Sequence, residues 1–421
     1  MLINQLAPQT GQKPLPAFHA YGIEMEYMIV DRATLDVRPI ADRLMQAVTG
    51  GYACEVERGA LGWSNELVLH VLEIKNPRPQ QLETLPRAFQ QEVAEINARL
   101  AAFDALLMPS AMHPWMAPER ETELWPHDNQ AIYQAYHRIF DCHRHGWANL
   151  QSMHVNLPFA DDAEFERLHA AIRLALPILP AIAASSPIAD GRLTGFMDYR
   201  MRVYRDNAAQ FPMITGLVVP EIVRNAREHD ASILEPMYAA INPHDQDKIL
   251  QREWLNSRGA IPRFDRNAIE IRVLDMQEHP AADLALAALV IDLVAALYDG
   301  AFAALEAQQQ LSTEALAEIL WQCVAEADQA VIVNGAYLEL FGCRAASATA
   351  AELWQAIAET LTARGCAHSA LWRDTFAVIQ QKGPLARRIV RALDGDTSRE
   401  SMQRVYRELA DCLVRGSAFI A

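Results

Sequence analysis

The stretch YGIEMEYMIV, residues 21–30, sets Glu24 and Glu26 one residue apart inside an otherwise apolar run. In an extended chain successive side chains point to opposite faces, so the two carboxylates share a face. A segment suited to burial thus aims two like charges at one spot. Two carboxylates about 4 Å apart at an effective dielectric of about 20 repel by roughly 4 kcal/mol. Something must compensate them.

Three further strand-like runs repeat the pattern of apolar residues alternating with ionisable or amide ones. ELVLHVLEIK (66–75) carries Glu66 and Glu73, read here as one strand. WANLQSMHVNLPF (147–159) carries His154 and Asn156, and NAIEIRVLDMQ (267–277) carries Glu270 and Arg272. One such strand is ordinary in an antiparallel sheet with a solvated face. Four strands limited to Glu, His, Asn and Arg point to a shared functional face, because solvated faces also use Thr, Ser, Lys and Gln. Divalent metal is the usual remedy for clustered carboxylates, and hard Mg²⁺ or Mn²⁺ prefers their oxygens. Arg272 beside a ligating Glu270 suits phosphate oxygens. The chemistry indicated is metal-assisted phosphoryl transfer from a nucleotide.

Composition bounds the alternatives. The chain has 421 residues, 51% hydrophobic and 21% charged, with a net charge of -16. That is a core-forming sequence, and its acidity argues against nucleic acid as a partner. Lysine occurs only at Lys13, Lys75, Lys248 and Lys382, so phosphate must be met by Arg, metal or backbone amides. The six cysteines show no C-x-x-C spacing. The N-terminus has no basic-then-apolar leader, and no run of about 18 apolar residues lacks charge or proline. A cytoplasmic protein without a membrane span is expected. There is no G-x-x-x-x-G-K-[ST], G-x-G-x-x-G or G-x-S-x-G, so P-loop, Rossmann and serine-hydrolase readings have no support.

The pattern predicts an α+β fold. Residues 1–18 read as a flexible arm, 19–285 as a strand-rich catalytic region, and 286–421 as a helical region packed on it. Leu82, Leu85, Phe89, Val93, Ile96 and Leu100 carry a helical period through 81–104. Asp161-Asp162 opens a helix. Ala-rich helices are expected at 281–300, 312–330, 349–364, 369–381 and 397–414. No coiled coil defines an oligomer, and a homo-oligomer stays open.

YGIEMEYMIVD (21–31), LEIKNP (72–77), MPSAMHPW (108–115), SMHVNLPF (152–159) and NAIEIRVLDMQ (267–277) resemble, in that order, motifs of the glutamate–cysteine ligase family. The closer match is its second branch, which includes bacterial carboxylate–amine ligases. The resemblance spans roughly 19–285. It implies a glutamine-synthetase-like catalytic fold, a curled antiparallel sheet forming a funnel for metal and ATP. It implies that ATP phosphorylates a small-molecule, glutamate-like carboxylate and that an amine, such as cysteine, attacks the acyl phosphate.

By position, the resemblance assigns Glu24, His154 and Glu270 to one Mg²⁺ (or Mn²⁺) group and Glu26, Glu66 and Glu73 to another. Arg272 would stabilise the transferring phosphoryl group, with Glu26 also in the catalytic set and Asn156 near substrate. Arg258, in WLNSRGAIP (254–262), would touch nucleotide or substrate. Arg202 and Arg205, in YRMRVYRDNAAQFP (199–212), would bind a substrate carboxylate, unless they form a salt-bridged surface. The chain departs from the pattern at Asn267-Ala268, where Gly-Thr is usual, and at Ala111, where Gly is usual. VIVNGAYLELFGCR (331–344) stands where R-E-N-x-W-x-A is expected, which leaves the substrate less defined than the ATP and metal chemistry. A guanidino-type ATP phosphotransferase and a degenerate nucleotide-binding protein are the alternatives.

Three further segments stand out. YHRIFDCHRHGW (136–147) holds three histidines, but its spacing fits no standard zinc site and it reads as a helix end. HPWMAPERETELWPHD (113–128) reads as a packed loop or a lid. GPLARRIVRALDGD (383–396) reads as a solvated basic helix face.

Overall fold

The alternation of residues 21–31 becomes β1 (Gly22–Asp31), the middle strand of an antiparallel sheet. The other strands of the chain are β2 (Glu55–Arg58), β3 (Leu61–Asn65), β4 (Val71–Lys75), β5 (Ala105–Met108), β6 (Ser152–Pro158), the short hairpin β7 (Ile188–Ala189) and β8 (Arg192–Leu193), β9 (Ala260–Arg263), β10 (Ala268–Asp275), and the short pair β11 (Val331–Ile332) and β12 (Ala348–Thr349). This computed structural model describes residues 13–251 and 255–421. The large sheet runs β2-β3-β4-β1-β6-β10-β9, with β5 paired to the end of β1 that β6 leaves free.

Register brings the ionisable residues together. Glu24 lies opposite His154 on β6 and Lys75 on β4, and Glu26 lies opposite Glu73. Asn156 faces Gly22 on one side and Glu270 on the other. The β6–β10 pairing breaks between Ile271 and Leu274, and there the Arg272 amide donates to the Gly259 carbonyl at 2.9 Å. Such an irregularity re-aims a side chain while the strand continues.

Ile23, Met25, Tyr27 and Ile29 face away from the carboxylates and join one apolar core with Phe89, Val93 and Ile96 of the Leu85–Leu100 helix. That core also takes in Leu284, Leu289 and Leu293 of the Pro280–Tyr298 helix and Trp354 and Ile357 of the Ala350–Arg364 helix. Pro280–Tyr298 is, among the described residues, the helix long and apolar enough to cross a membrane, and it lies mostly inside the fold. His279 caps it, its ring nitrogen accepting from the Ala282 amide. The longer of the other C-terminal helices are Thr313–Glu326, Ser369–Lys382, Leu385–Leu393 and Arg399–Arg415. Thr349 and Glu352 form a reciprocal capping box that starts the Ala350–Arg364 helix. Asp161 caps Asp162–Ala175 in the same sense, accepting from the Glu164 amide.

Several expectations are corrected. Residues 66–75 are not one strand, because β3 ends at Asn65 and β4 begins at Val71. Between them, Trp125 donates to the Leu67 carbonyl and Leu69 donates to the Glu123 carbonyl, so a loop, not a strand, satisfies this backbone. Residues 81–104 divide into a turn at Leu82–Thr84, the helix Leu85–Leu100 and a second turn at Ala101–Phe103. Of the expected arm, residues 1–12 lie outside the described residues. Ala17 is anchored through its amide to Glu164 at 2.8 Å, and the Phe18 ring meets Tyr298 edge-on. The basic helix at 385–393 does not present a simple solvated face. Arg388 is fully buried against Glu278 and the Phe419 carbonyl, and Arg387 pairs with Asp328.

Candidate active site

The carboxylate face forms a chain of contacts across three strands. His154 Nδ1 lies 2.9 Å from Glu24 Oε2 and 3.5 Å from Glu270 Oε1, while Nε2 meets Ser152 Oγ at 2.9 Å. Asn156 donates to the other Glu24 oxygen at 3.2 Å. Glu26 accepts from the Ser152 amide at 2.7 Å and from its hydroxyl at 3.1 Å. Glu73 accepts from Ser64 Oγ at 2.6 Å, the residue opposite it on β3. Glu24 and Glu73 are therefore each aimed by the residue opposite them in register.

On this surface, two groups of ligand atoms among the described residues are compact enough for a metal ion. One is Glu24, Glu73 and His154, and the other is Glu26, Glu66 and Glu73, each with its atoms within 4.8 Å of one another. Glu73 belongs to both. Glu270, expected beside Glu24 and His154, lies 3.5 Å from His154 Nδ1 and is also engaged by guanidinium groups, 3.2 Å from Arg263 Nη1 and 3.4 Å from Arg272 Nε. The structure thus places the seven sequence-selected residues Glu24, Glu26, Glu66, Glu73, His154, Glu270 and Arg272 on one surface, with a different division among them.

Charge balance explains why this surface suits a divalent cation. Burial, then the charge of Glu66, push the Glu26 carboxyl above its usual range. Burial, opposed by Lys75 and reinforced by Glu24 and Glu66, pushes Glu73 up to about 7. Burial also opposes ionisation of Glu24, but the His154 hydrogen bond and charge, with Lys75 and Arg266, hold that carboxyl far below the usual range. Without a cation, then, the ionised forms of Glu26 and Glu73 are disfavoured. Oxygen donors in excess of protein cations, with one imidazole, are the donor set of Mg²⁺ or Mn²⁺.

Beside this surface lies a cavity of about 120 Å³, walled by Glu26, Glu66, Tyr133, Tyr136, Tyr204 and Arg272 among others. Gly146, Trp147 and Asn207 are shared with a wider outer cleft of about 750 Å³. The 113–128 loop contributes Ala117, Pro118, Glu119 and Arg120 to the outer cleft, while Trp125 is wholly buried.

The other expected arginines sit elsewhere. Arg258 is buried in an ion pair with Glu221, at 2.7 Å, and donates to the Met213 carbonyl at 3.2 Å. It fastens two loops, and its neighbours Asn256 and Ser257 line the cavity in its place. Trp254, the start of its motif, lies outside the described residues. Arg202 lines the outer cleft and pairs with Asp206, and Arg205 pairs with the same Asp206 at 3.0 Å and covers the Trp321 ring.

Arg200, Arg263 and Lys75 were missed in the sequence and belong to this region. Arg200 is buried, bonded to Asp275 and to the Arg272 carbonyl at 3.3 Å. Its helix, Tyr199–Arg205, buries positions 200, 201 and 204, so a helical reading would have chosen Arg200 over Arg202 and Arg205. Lys75 bridges Glu73 at 3.0 Å and Glu55 at 3.2 Å, and its rarity in the chain was the available signal.

The family model for glutamate–cysteine ligase family 2 matches residues 20–408. The chain belongs to this family. A protein of Archaeoglobus fulgidus of uncharacterised function is 36% identical over 64% of this chain and 72% of its own length. A Bradyrhizobium diazoefficiens protein named as a candidate glutamate–cysteine ligase 2 is 26% identical over 68% of this chain. That match spans 62% of the Bradyrhizobium protein, less than two thirds of its length. The structure of a glutamate–cysteine ligase from Francisella tularensis in complex with AMP superposes with a TM-score of 0.57 at 10% identity, covering 96% of this chain and 90% of that one. At that identity the likeness concerns the fold, an α+β arrangement on an antiparallel sheet. For a member of glutamate–cysteine ligase family 2, the acidic surface lies where a sheet of this kind gathers the alternate residues of β1, β4, β6 and β10.

Proposed function

We propose that this protein joins a small-molecule carboxylate, glutamate or a relative, to an amine such as cysteine in the cytoplasm, using ATP. The observation that carries the proposal is the pair of overlapping ligand groups, Glu24–Glu73–His154 and Glu26–Glu66–Glu73, beside Arg272 at the cavity wall. Family membership supports it.

In this reading the two groups hold divalent cations, which when bound draw charge from the ATP phosphates. A substrate carboxylate oxygen attacks the γ-phosphorus, the bond to the β-phosphate bridge oxygen breaks, and ADP leaves. The amine then attacks the acyl carbon, phosphate leaves with the carboxylate oxygen, and the amine proton passes to solvent or to leaving phosphate. Arg272, oriented by Glu270 and by the break in β10, stabilises charge on the transferring group. Tyr133, Tyr136, Tyr204 and Trp147 exclude water that would hydrolyse the acyl phosphate.

The test is ADP release with ATP and Mg²⁺ across amino acids and small amines, singly and in pairs. Release that needs one carboxylate and one amine, and falls at least about a hundredfold in Glu26→Gln, is the expected result. Release with a single guanidino compound would overturn the ligase reading in favour of a phosphotransferase.

A further inference from the structure

The segment between the two cavities holds a second constellation, distant in character from the carboxylate face. The helix Gln130–Phe140 ends at Asp141, which adopts a left-handed conformation (φ 56°) and turns the chain back on itself. The turn brings His143 over His137, with ring centroids 4.6 Å apart. One ring nitrogen of each histidine and one Asp141 oxygen lie within 4.8 Å of one another. No hydrogen bond occupies the His143 ring nitrogens among the described residues, while His137 Nδ1 accepts from the Cys142 amide at 3.2 Å and Asp141 Oδ1 accepts from the His143 amide at 3.3 Å.

We propose that His137, Asp141 and His143 form a binding site for a borderline transition-metal cation, Zn²⁺ or a like ion. Two imidazoles and one carboxylate are a donor set for such ions, while Mg²⁺ favours oxygen. Tetrahedral ligands at the usual bond lengths sit about 3.4 Å apart. His137 Nδ1 and Asp141 Oδ1 are 3.9 Å apart, and a rotation of the His137 ring that exchanges the Cys142 hydrogen bond for the ion closes the set. The fourth position is left to water, since these three side chains are half-buried or exposed. Arg144 is the nearest opposing charge, its Nε 3.8 Å from the other Asp141 oxygen; it is more than half exposed and also donates to the Phe140 carbonyl at 2.9 Å.

The location gives the ion a consequence. Tyr133 and Tyr136, on the same helix, wall the inner cavity, and Gly146 and Trp147, just beyond, wall both cavities. A cation bridging 137 to 143 fastens the helix end to that shared wall. The spacing H-x₃-D-x-H is not a standard zinc motif, which is why sequence alone set it aside; the left-handed Asp141 makes the site.

The test uses full-length protein stripped with chelator, then titrated with Co²⁺ in millimolar Mg²⁺, which occupies the oxygen-rich surface. Wild type is expected to show visible Co²⁺ absorption with one equivalent, and Zn²⁺ is expected to displace it and raise the melting temperature. His143→Ala and Asp141→Asn are expected to weaken Co²⁺ binding at least tenfold, whereas Glu26→Gln retains it. Retention in a His137→Ala/His143→Ala double variant, or no saturable signal in wild type, would overturn the proposal. Because these side chains are at the surface, melting of each variant without metal checks that the fold persists.

Discussion

Lys75 shows how one side chain sets the balance of the acidic surface. Its ammonium is almost wholly buried and bridges Glu73 and Glu55, and the paired carboxylates raise its pKa despite the opposing effect of burial. Gly62 stands opposite it on β3. Removing one partner of a buried ion pair strands the other charge, at a cost of about 3–5 kcal/mol. Lys75→Met should therefore lower the stability of metal-free protein by up to that amount, and Mn²⁺ should restore more of it than in wild type, since Glu73 and Glu55 become available as ligands. Chemical denaturation with and without Mn²⁺ measures both effects. Equal recovery in the two proteins would mean that Lys75 does not substitute for a cation.

Elements decide which chemistry a sequence reveals. The alternation in β1, β6 and β10 was legible because a Glu or His at every second position of an apolar run is rare enough to notice, and it led directly to Glu24, Glu26, His154, Glu270 and Arg272. The break between β3 and β4 was not legible, because the apolar alternation of 66–70 continues that of β4 while its backbone is satisfied by a distant loop. Arg263 escaped because only the pairing of β9 with β10 puts it beside Glu270. For Arg258, the motif position gave no sign of the ion pair with Glu221, 37 residues earlier. A close approach between elements makes a further prediction. A Cβ at Gly146 would meet Asn207 Oδ1 at 1.6 Å and the Val203 carbonyl at 2.8 Å. Gly146→Ala should push the His145–Ala148 turn away from the Tyr199–Arg205 helix, destabilise the fold by roughly 1–3 kcal/mol, and impair substrate binding more than ATP binding. Adding Asn207→Gly should recover part of the stability and leave the backbone clash. An unchanged melting temperature in Gly146→Ala would show that the two elements separate freely.

Across the whole molecule, C-terminal helices pack on both faces of the sheet, Pro280–Tyr298 in the main core and Leu385–Leu393 with Arg399–Arg415 against Met28, Val30 and Met108 in a second one, and buried polar groups govern how stability responds to pH. Arg388 and Glu278 tie the Leu385–Leu393 helix to the segment after β10. Arg388→Leu should cost about 3–5 kcal/mol by stranding the Glu278 carboxylate, and Arg388→Leu/Glu278→Leu should recover most of it; denaturation midpoints test the pair. Histidines set the acid limit. Burial holds His70 down to about 4, with a hydrogen bond to the Ala148 carbonyl opposing it. Burial likewise holds His113 and His169 down to about 3, with nearby positive charge adding to the effect. In the unfolded chain each returns to about 6.5. Below that value the unfolded chain binds protons that the native protein refuses, so stability is present above about pH 6.5 and is lost as pH falls toward 4 and 3. His169 is the cleanest probe, because it stacks on Phe165, its Nε2 has no partner among the described residues, and it lies on the Asp162–Ala175 helix away from the acidic surface. His169→Phe should flatten the dependence of unfolding free energy on pH between about 4 and 6 by close to one proton, about 1.4 kcal/mol per pH unit. Carboxylate titration at Glu24 and Glu73 is common to both proteins and cancels in the comparison. Parallel pH profiles for wild type and His169→Phe would mean that His169 is protonated in the native state, and that the core admits charge where the packing indicates it does not.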